Sequence, residues 1–156
     1  MLFLRPNVSL SPQVAKKVDP ENCQTLYRFK IRNNGKRQAV NISLTVTLCR
    51  LRDVPNGRIS SNIGDILPRK EVSALSKCLT SWTPWELPPV YIFVAKPNFN
   101  VEKELASPNT RMIATLSATD AQSGTTYVQR ITYRKEDVVA GDFVKGLSFD
   151  VKQFSA

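Results

Sequence analysis

The feature that most constrains this chain is a strict alternation over residues 25–32. Thr25-Leu26-Tyr27-Arg28-Phe29-Lys30-Ile31-Arg32 puts Tyr27, Phe29 and Ile31 on one side and Arg28, Lys30 and Arg32 on the other. A period of two belongs to a strand with one dry face and one wet face. Asn33-Asn34-Gly35-Lys36 follows, and Asn-Gly supplies the positive φ of a tight turn. Val40, Ile42, Leu44, Val46 and Leu48 then alternate with Asn41, Ser43, Thr45 and Thr47 in a second, β-branched strand. Together these segments predict an antiparallel hairpin.

The rest of the chain repeats the theme in shorter pieces. Pro55-Asn56-Gly57 and Pro68 mark residues 52–70 as a long loop with at most a short strand, and residues 72–82 read as a weaker strand. After Pro84, Pro88 and Pro89, residues 90–94 form an apolar run of strand type, and residues 97–109 form a polar connection with one helical turn around 101–105. Residues 111–118 and 125–133 are β-type segments joined by a turn-rich connection. Residues 143–151 end the chain with alternating Leu147, Phe149 and Val151. Short strands between turn signals, with no amphipathic helix, predict an all-β sandwich, and 156 residues make one domain over 1–156.

Charge narrows the partners. Lysine and arginine number 22 against 13 acidic residues, a net +9. Residues 1–50 hold nine basic and two acidic side chains, hence +7, so an anion-facing patch is expected in the first third. Cys23, Cys49 and Cys78 lie too far apart in sequence for a C-x-x-C pair, and an odd count fits reduced thiols in a reducing compartment. No apolar run approaches the ~18 residues of a membrane helix.

Histidine is absent, which excludes Ser-His-Asp and Cys-His mechanisms and removes the commonest metal ligand. The close acidic sets, Glu102/Glu104 and Glu136/Asp137, read as solvated surface, and no phosphate-binding glycine loop or nucleophile elbow is present. The expectation is a non-enzyme with no cofactor and no metal. A carboxylate-based hydrolase is the contrasting class, and it would need two acids converging in a closed pocket.

Residues 25–36 and the β-branched strand after them resemble the cytoplasmic domain of inward-rectifier potassium channels, in its prokaryotic form. The order continues along the chain. Leu79-Thr80-Ser81-Trp82-Thr83 looks like the family's Leu-Ser-Trp-Thr segment, and Leu116 to Tyr133 is similar to its G-loop hairpin. Glu136-Asp137, Gly141-Asp142-Phe143 and residues 147–154 resemble the segments that close the domain. The resemblance implies an immunoglobulin-like (E-set) β-sandwich that assembles as a homotetramer beneath a pore and gates it in response to ligands. It also implies a cytoplasmic location, at the inner face of a membrane as part of a longer chain. Pore helices, selectivity filter and the basic lipid tether are not among these residues, and the G-loop connection is one residue longer than the family pattern.

Two candidate sites follow. Arg28, Lys30, Arg32, Lys36 and Arg37 are the densest basic set, placed either as a solvated edge or as a site for an anionic membrane surface or acidic ligand. Ala118, Thr119, Asp120, Ala121, Gln122, Ser123 and Gly124 form the loop that the resemblance would place on a fourfold axis, with Asp120 presenting carboxylates to cations. Nucleic acid is disfavoured as a partner, because Tyr27 and Phe29 alternate onto the face opposite the cations. Trp82 and Trp85 read as packing residues. The alternative to a gating domain is a stand-alone sandwich that binds an anionic ligand or a protein.

Overall fold

The structure, a computed structural model, describes residues 6–77 and 89–154. Among these, ten strands build two sheets around a shared core, with one short α-helix and a 3-10 turn (Lys135–Asp137) between strands: β1 (Val8–Leu10), β2 (Val14–Val18), β3 (Thr25–Asn33), β4 (Ala39–Val54), β5 (Gly57–Leu75), β6 (Val90–Ala95), α1 (Val101–Leu105), β7 (Thr110–Asp120), β8 (Thr126–Tyr133), β9 (Val138–Phe143) and β10 (Val151–Gln153). The six-stranded sheet centres on β3, whose one edge is shared by β1 and β2 and whose other edge carries β6; β2 continues, in parallel, to β9, and β9 to β10. The four-stranded sheet runs β5-β4-β7-β8, all antiparallel. This is the expected all-β sandwich.

The alternation in β3 holds: Tyr27, Phe29 and Ile31 are buried. They meet Ile42, Leu44, Val46 and Leu48 of β4 and Met112, Ala114 and Leu116 of β7 in one cluster. Burying a ring such as Phe29 stabilises by about 2–3 kcal/mol relative to exposure. Its ring sits 6.1 Å from that of Tyr133, whose hydroxyl donates to the Ser11 carbonyl at 2.5 Å. Burial, aided by the charge of Asp137, raises the Tyr133 phenol far above its usual range and keeps it neutral.

The hairpin expected of β3 and β4 does not form, because the two strands belong to different sheets. Gly35 lacks the positive φ of a hairpin turn. Instead the Asn33 side chain accepts from the Gly35 amide at 3.0 Å and donates to the carbonyls of Arg37 (2.8 Å) and Ser76 (3.0 Å), which folds the connection across the end of the sandwich. A tight turn between alternating strands thus marks a crossover between sheets.

Residues 52–70 are also corrected, from a loop to the body of a long ribbon. Val54 pairs with Gly57, so Pro55 and Asn56 form the tip, and Gly57 has the positive φ there. Pro68 is tolerated because β5 is an edge strand and its register slips between Leu44↔Lys70 and Val46↔Leu67. On β4 a further irregularity at Asn41 (φ 50°) shifts the alternation: Ala39, not Val40, joins Ile42 in the core.

The helical turn appears at α1, capped by the Asn100 side chain, which accepts from the Lys103 amide at 3.1 Å. β6, β7 and β8 lie where the patterns placed them. The closing strand does not: residues 144–150 are outside any strand, and pairing resumes only in the short β10. Residues 78–83, Trp82 and Trp85 lie outside the described residues.

Candidate functional site

The two candidate sets split on folding. Arg28, Lys30 and Arg32 do point away from the core, but Lys30 is buried and Arg28 and Arg32 are only partly exposed, and β3 is an inner strand, so the expected protective edge is corrected as well. Residues 142–149 cross this face. Lys30 is 1% exposed, and its Nζ donates to the carbonyls of Val144 (3.0 Å) and Ser148 (2.5 Å). Arg32 donates to the Leu147 carbonyl at 2.7 Å and lies 4.3 Å from the Phe149 ring centroid. Arg28 pairs with Asp142 at 2.8 Å, an acid shared with Lys17. Burial lowers the Lys30 pKa, and the neighbouring Arg32 charge adds to the effect. These three cations hold the chain's own C-terminal segment, so the anion site expected of them is filled by carbonyl oxygens and a carboxylate.

Lys36 and Arg37 go elsewhere. They line a cleft of about 350 Å³ at one end of the sandwich, together with Asn7, Asn34, Gly35 and Asp120. The cleft exists because two turns are tied together: the Ala121 amide donates to Gln38, and Arg37 Nη1 reaches Asp120 Oδ1 at 3.2 Å. Asn34 fixes the third wall, donating from its amide to Asn7 and from Nδ2 to Ser9 Oγ. Gly35 leaves room beside Asn33, since a Cβ there would come within 3.2 Å of Asn33 Oδ1 and press that side chain aside. Lys36 is exposed and, among the described residues, makes no ion pair.

Asp120 does not present a free carboxylate. It is 2% exposed, and its Oδ1 accepts from the amides of Ser123 (2.8 Å) and Gln122 (2.9 Å) as well as from Arg37. The Ser123 amide, then the Gln122 amide and the guanidinium, outweigh burial and hold the carboxyl below its ordinary 3.8. Gly124, at φ 71°, closes the turn. Asp120 therefore organises the loop; Ala121, Gln122 and Ser123 form its tip.

The acidic sets are engaged structurally. Glu102 pairs with Lys16, Glu104 with Arg50 at 2.8 Å, and Asp137 accepts from the Arg134 amide at 2.8 Å. Sequence reasoning missed the asparagines. Asn33 closes the crossover and Asn34 and Asn7 shape the cleft; the Asn-x-Gly spacing of a side-chain turn was the available signal.

Fold and site define an all-β sandwich with a small basic cleft at one end. No family model matches this chain, and no curated protein matches it. Among solved structures, it is similar to Spo0M, a sporulation control protein from Bacillus subtilis, at 8% identity and a TM-score of 0.43 over 87% of this chain; the chain spans 50% of that structure. It is also similar to a structural-genomics target, SoR45, at 13% identity and a TM-score of 0.42, covering 86% of this chain and 88% of that one.

Proposed function

We propose that this chain is a non-enzymatic β-sandwich of immunoglobulin-like type that acts as a binding and assembly module and takes an anionic ligand at the Lys36–Arg37 cleft. The observation that supports it most is the charge arrangement: Arg37 is held in place by Asp120, while Lys36 beside it has no counter-ion among the described residues. A fixed guanidinium and a free ammonium on the rim of a hollow suit a phosphate or carboxylate group. The wider reading, a regulatory cytoplasmic domain like that of an inward-rectifier potassium channel, rests on the sequence resemblance. It requires four copies around the 121–123 loop tip.

Pyrophosphate titrated into ¹⁵N-labelled protein tests the cleft. Saturable shifts confined to the amides of residues 34–37 and 120–124, lost in Lys36→Gln, are the expected result; shifts spread over all exposed lysines would reject it. Light scattering tests the assembly, since a ring has four times the 17.5 kDa chain mass. A monomer at every salt concentration leaves the binding module and removes the gating domain.

A further inference from the structure

Among the described residues, one long sheet edge of the sandwich is paired with no further strand. An exposed edge offers a row of backbone donors and acceptors to any extended chain, and proteins usually blunt it with charges, proline, bulges or brevity. β5 is blunted in each of the first three ways: it carries Pro68 and a register slip, and it holds Arg58 and Arg69 in ion pairs with Asp53 and Glu71. Of the edges in the other sheet, β10 has three residues, and β6 is approached by Lys70, whose Nζ donates to the Val94 carbonyl.

β8 differs. It has eight residues, no proline, no bulge in its pairing with β7, and a composition of strong strand formers. Among the described residues no strand pairs with its outer side. Its outward-facing side chains include Val128, 58% exposed, and the exposed Arg130.

The charge along this edge has one sign. Residues 121–135 contain Arg130, Arg134 and Lys135 and no acid. None of these three cations has an ion-pair partner among the described residues, whereas the basic side chains of the β5 edge named above do. At the C-terminal end of β8, Arg134 and Lys135 line a hollow of about 330 Å³ with Arg111. Arg111 Nη1 donates to the Pro108 and Thr110 carbonyls and, among the described residues, Arg111 makes no ion pair; Glu136 is the one acid on the described wall.

We infer that β8 is a docking edge for an extended acidic segment of another protein, which adds as a fifth strand to the four-stranded sheet. Main-chain hydrogen bonds would supply affinity, and alternate side chains would supply selectivity. An apolar residue would lie opposite Val128, an acidic one opposite Arg130 two positions away, and a further acid would reach the hollow at Arg111 and Arg134. A second copy of this chain is disfavoured as occupant, since each copy brings +9 and no acid along this edge. This inference stands independently of the Lys36 cleft.

The test uses a fluorescein-labelled, end-capped ten-residue peptide alternating glutamate with valine and threonine, and a twin with lysine for glutamate. Anisotropy should show binding of the glutamate peptide that weakens with salt, and amide exchange should show new protection at residues 128–132. Arg130→Glu should weaken binding at least tenfold, whereas Arg69→Glu on the β5 edge should leave it within twofold. Equal binding of the lysine peptide, protection at β5 in place of β8, or protection of β8 by protein concentration alone would each overturn the proposal.

Discussion

The two sheets turn outer faces of opposite character to their surroundings. On the six-stranded sheet, β3 presents Arg28, Lys30 and Arg32, and each is taken up by an oxygen of residues 142–148. On the four-stranded sheet the outward positions along the middle of the two inner strands are short and neutral: Ser43, Thr45 and Thr47 of β4, with Thr115 and Ser117 of β7 in register beside them, while charges such as Arg130 and Glu71 sit on the flanking strands β8 and β5. Among the described residues, these inner positions offer no charge to recruit a covering segment. Long cations on an inner strand have enough reach and donor capacity to organise chain above them, while hydroxyls half-shaded by their neighbours do not.

Removing the most deeply covered cation should break this contrast most severely. Lys30→Ala leaves the Val144 and Ser148 carbonyls without their donor and strips packing from the stem. A loss of about 2–4 kcal/mol is expected in urea titrations followed by circular dichroism, with faster amide exchange over residues 144–150. Unchanged exchange there would refute the idea that Lys30 holds the cover. Phe149→Ala removes only the ring stacked on Arg32 and should cost about 1 kcal/mol, with the same exchange signature at smaller amplitude.

Asp120 sharpens the comparison from the open sheet's side, because it ties the end of β7 to the crossover leaving β3. Its native pKa lies below 3.8, so its contribution is complete above the ordinary carboxylate range and is lost as pH falls through the native value. Wild type should exceed Asp120→Asn in stability at pH 6, with the gap narrowing below about pH 4; a constant gap down to pH 2 would contradict the assignment. The smallest effect belongs to the open face itself: Thr115→Ala should stay within about 0.5 kcal/mol of wild type in the same titrations.

Much of the fold was legible because strand signals are local: β3 and β4 carry a period-two pattern, β7 and β8 are β-type segments between turn signals, β6 is a short apolar run, and one helical turn is marked at α1. Pairing was not legible. Asn33 turns the chain between sheets through its side chain, and the same residues read as a hairpin when only strand and turn preferences are weighed. The covering of β3 was hidden for a related reason, since alternation says which residues leave the core and nothing about what comes to meet them 114 to 118 positions later. β1, β2 and β9 are too short to show a pattern of their own, and they become strands through their neighbours. Of the sites, Lys36, Arg37 and Asp120 were named from sequence, but their meeting depends on that crossover.

The parallel register of Val14 to Lys16 with Val138 to Ala140 has a consequence for biosynthesis. A nascent chain can complete the β4–β5 ribbon and the β2–β3 pair early, but the other edge of β2 waits until residue 138 and beyond have left the ribosome. Contacts of such long sequence separation slow the search for the native state. During that interval the outer edge of β2 and the cations of β3 stand uncovered, so the newborn chain offers quality-control factors a basic, strand-rich surface that the finished molecule no longer has.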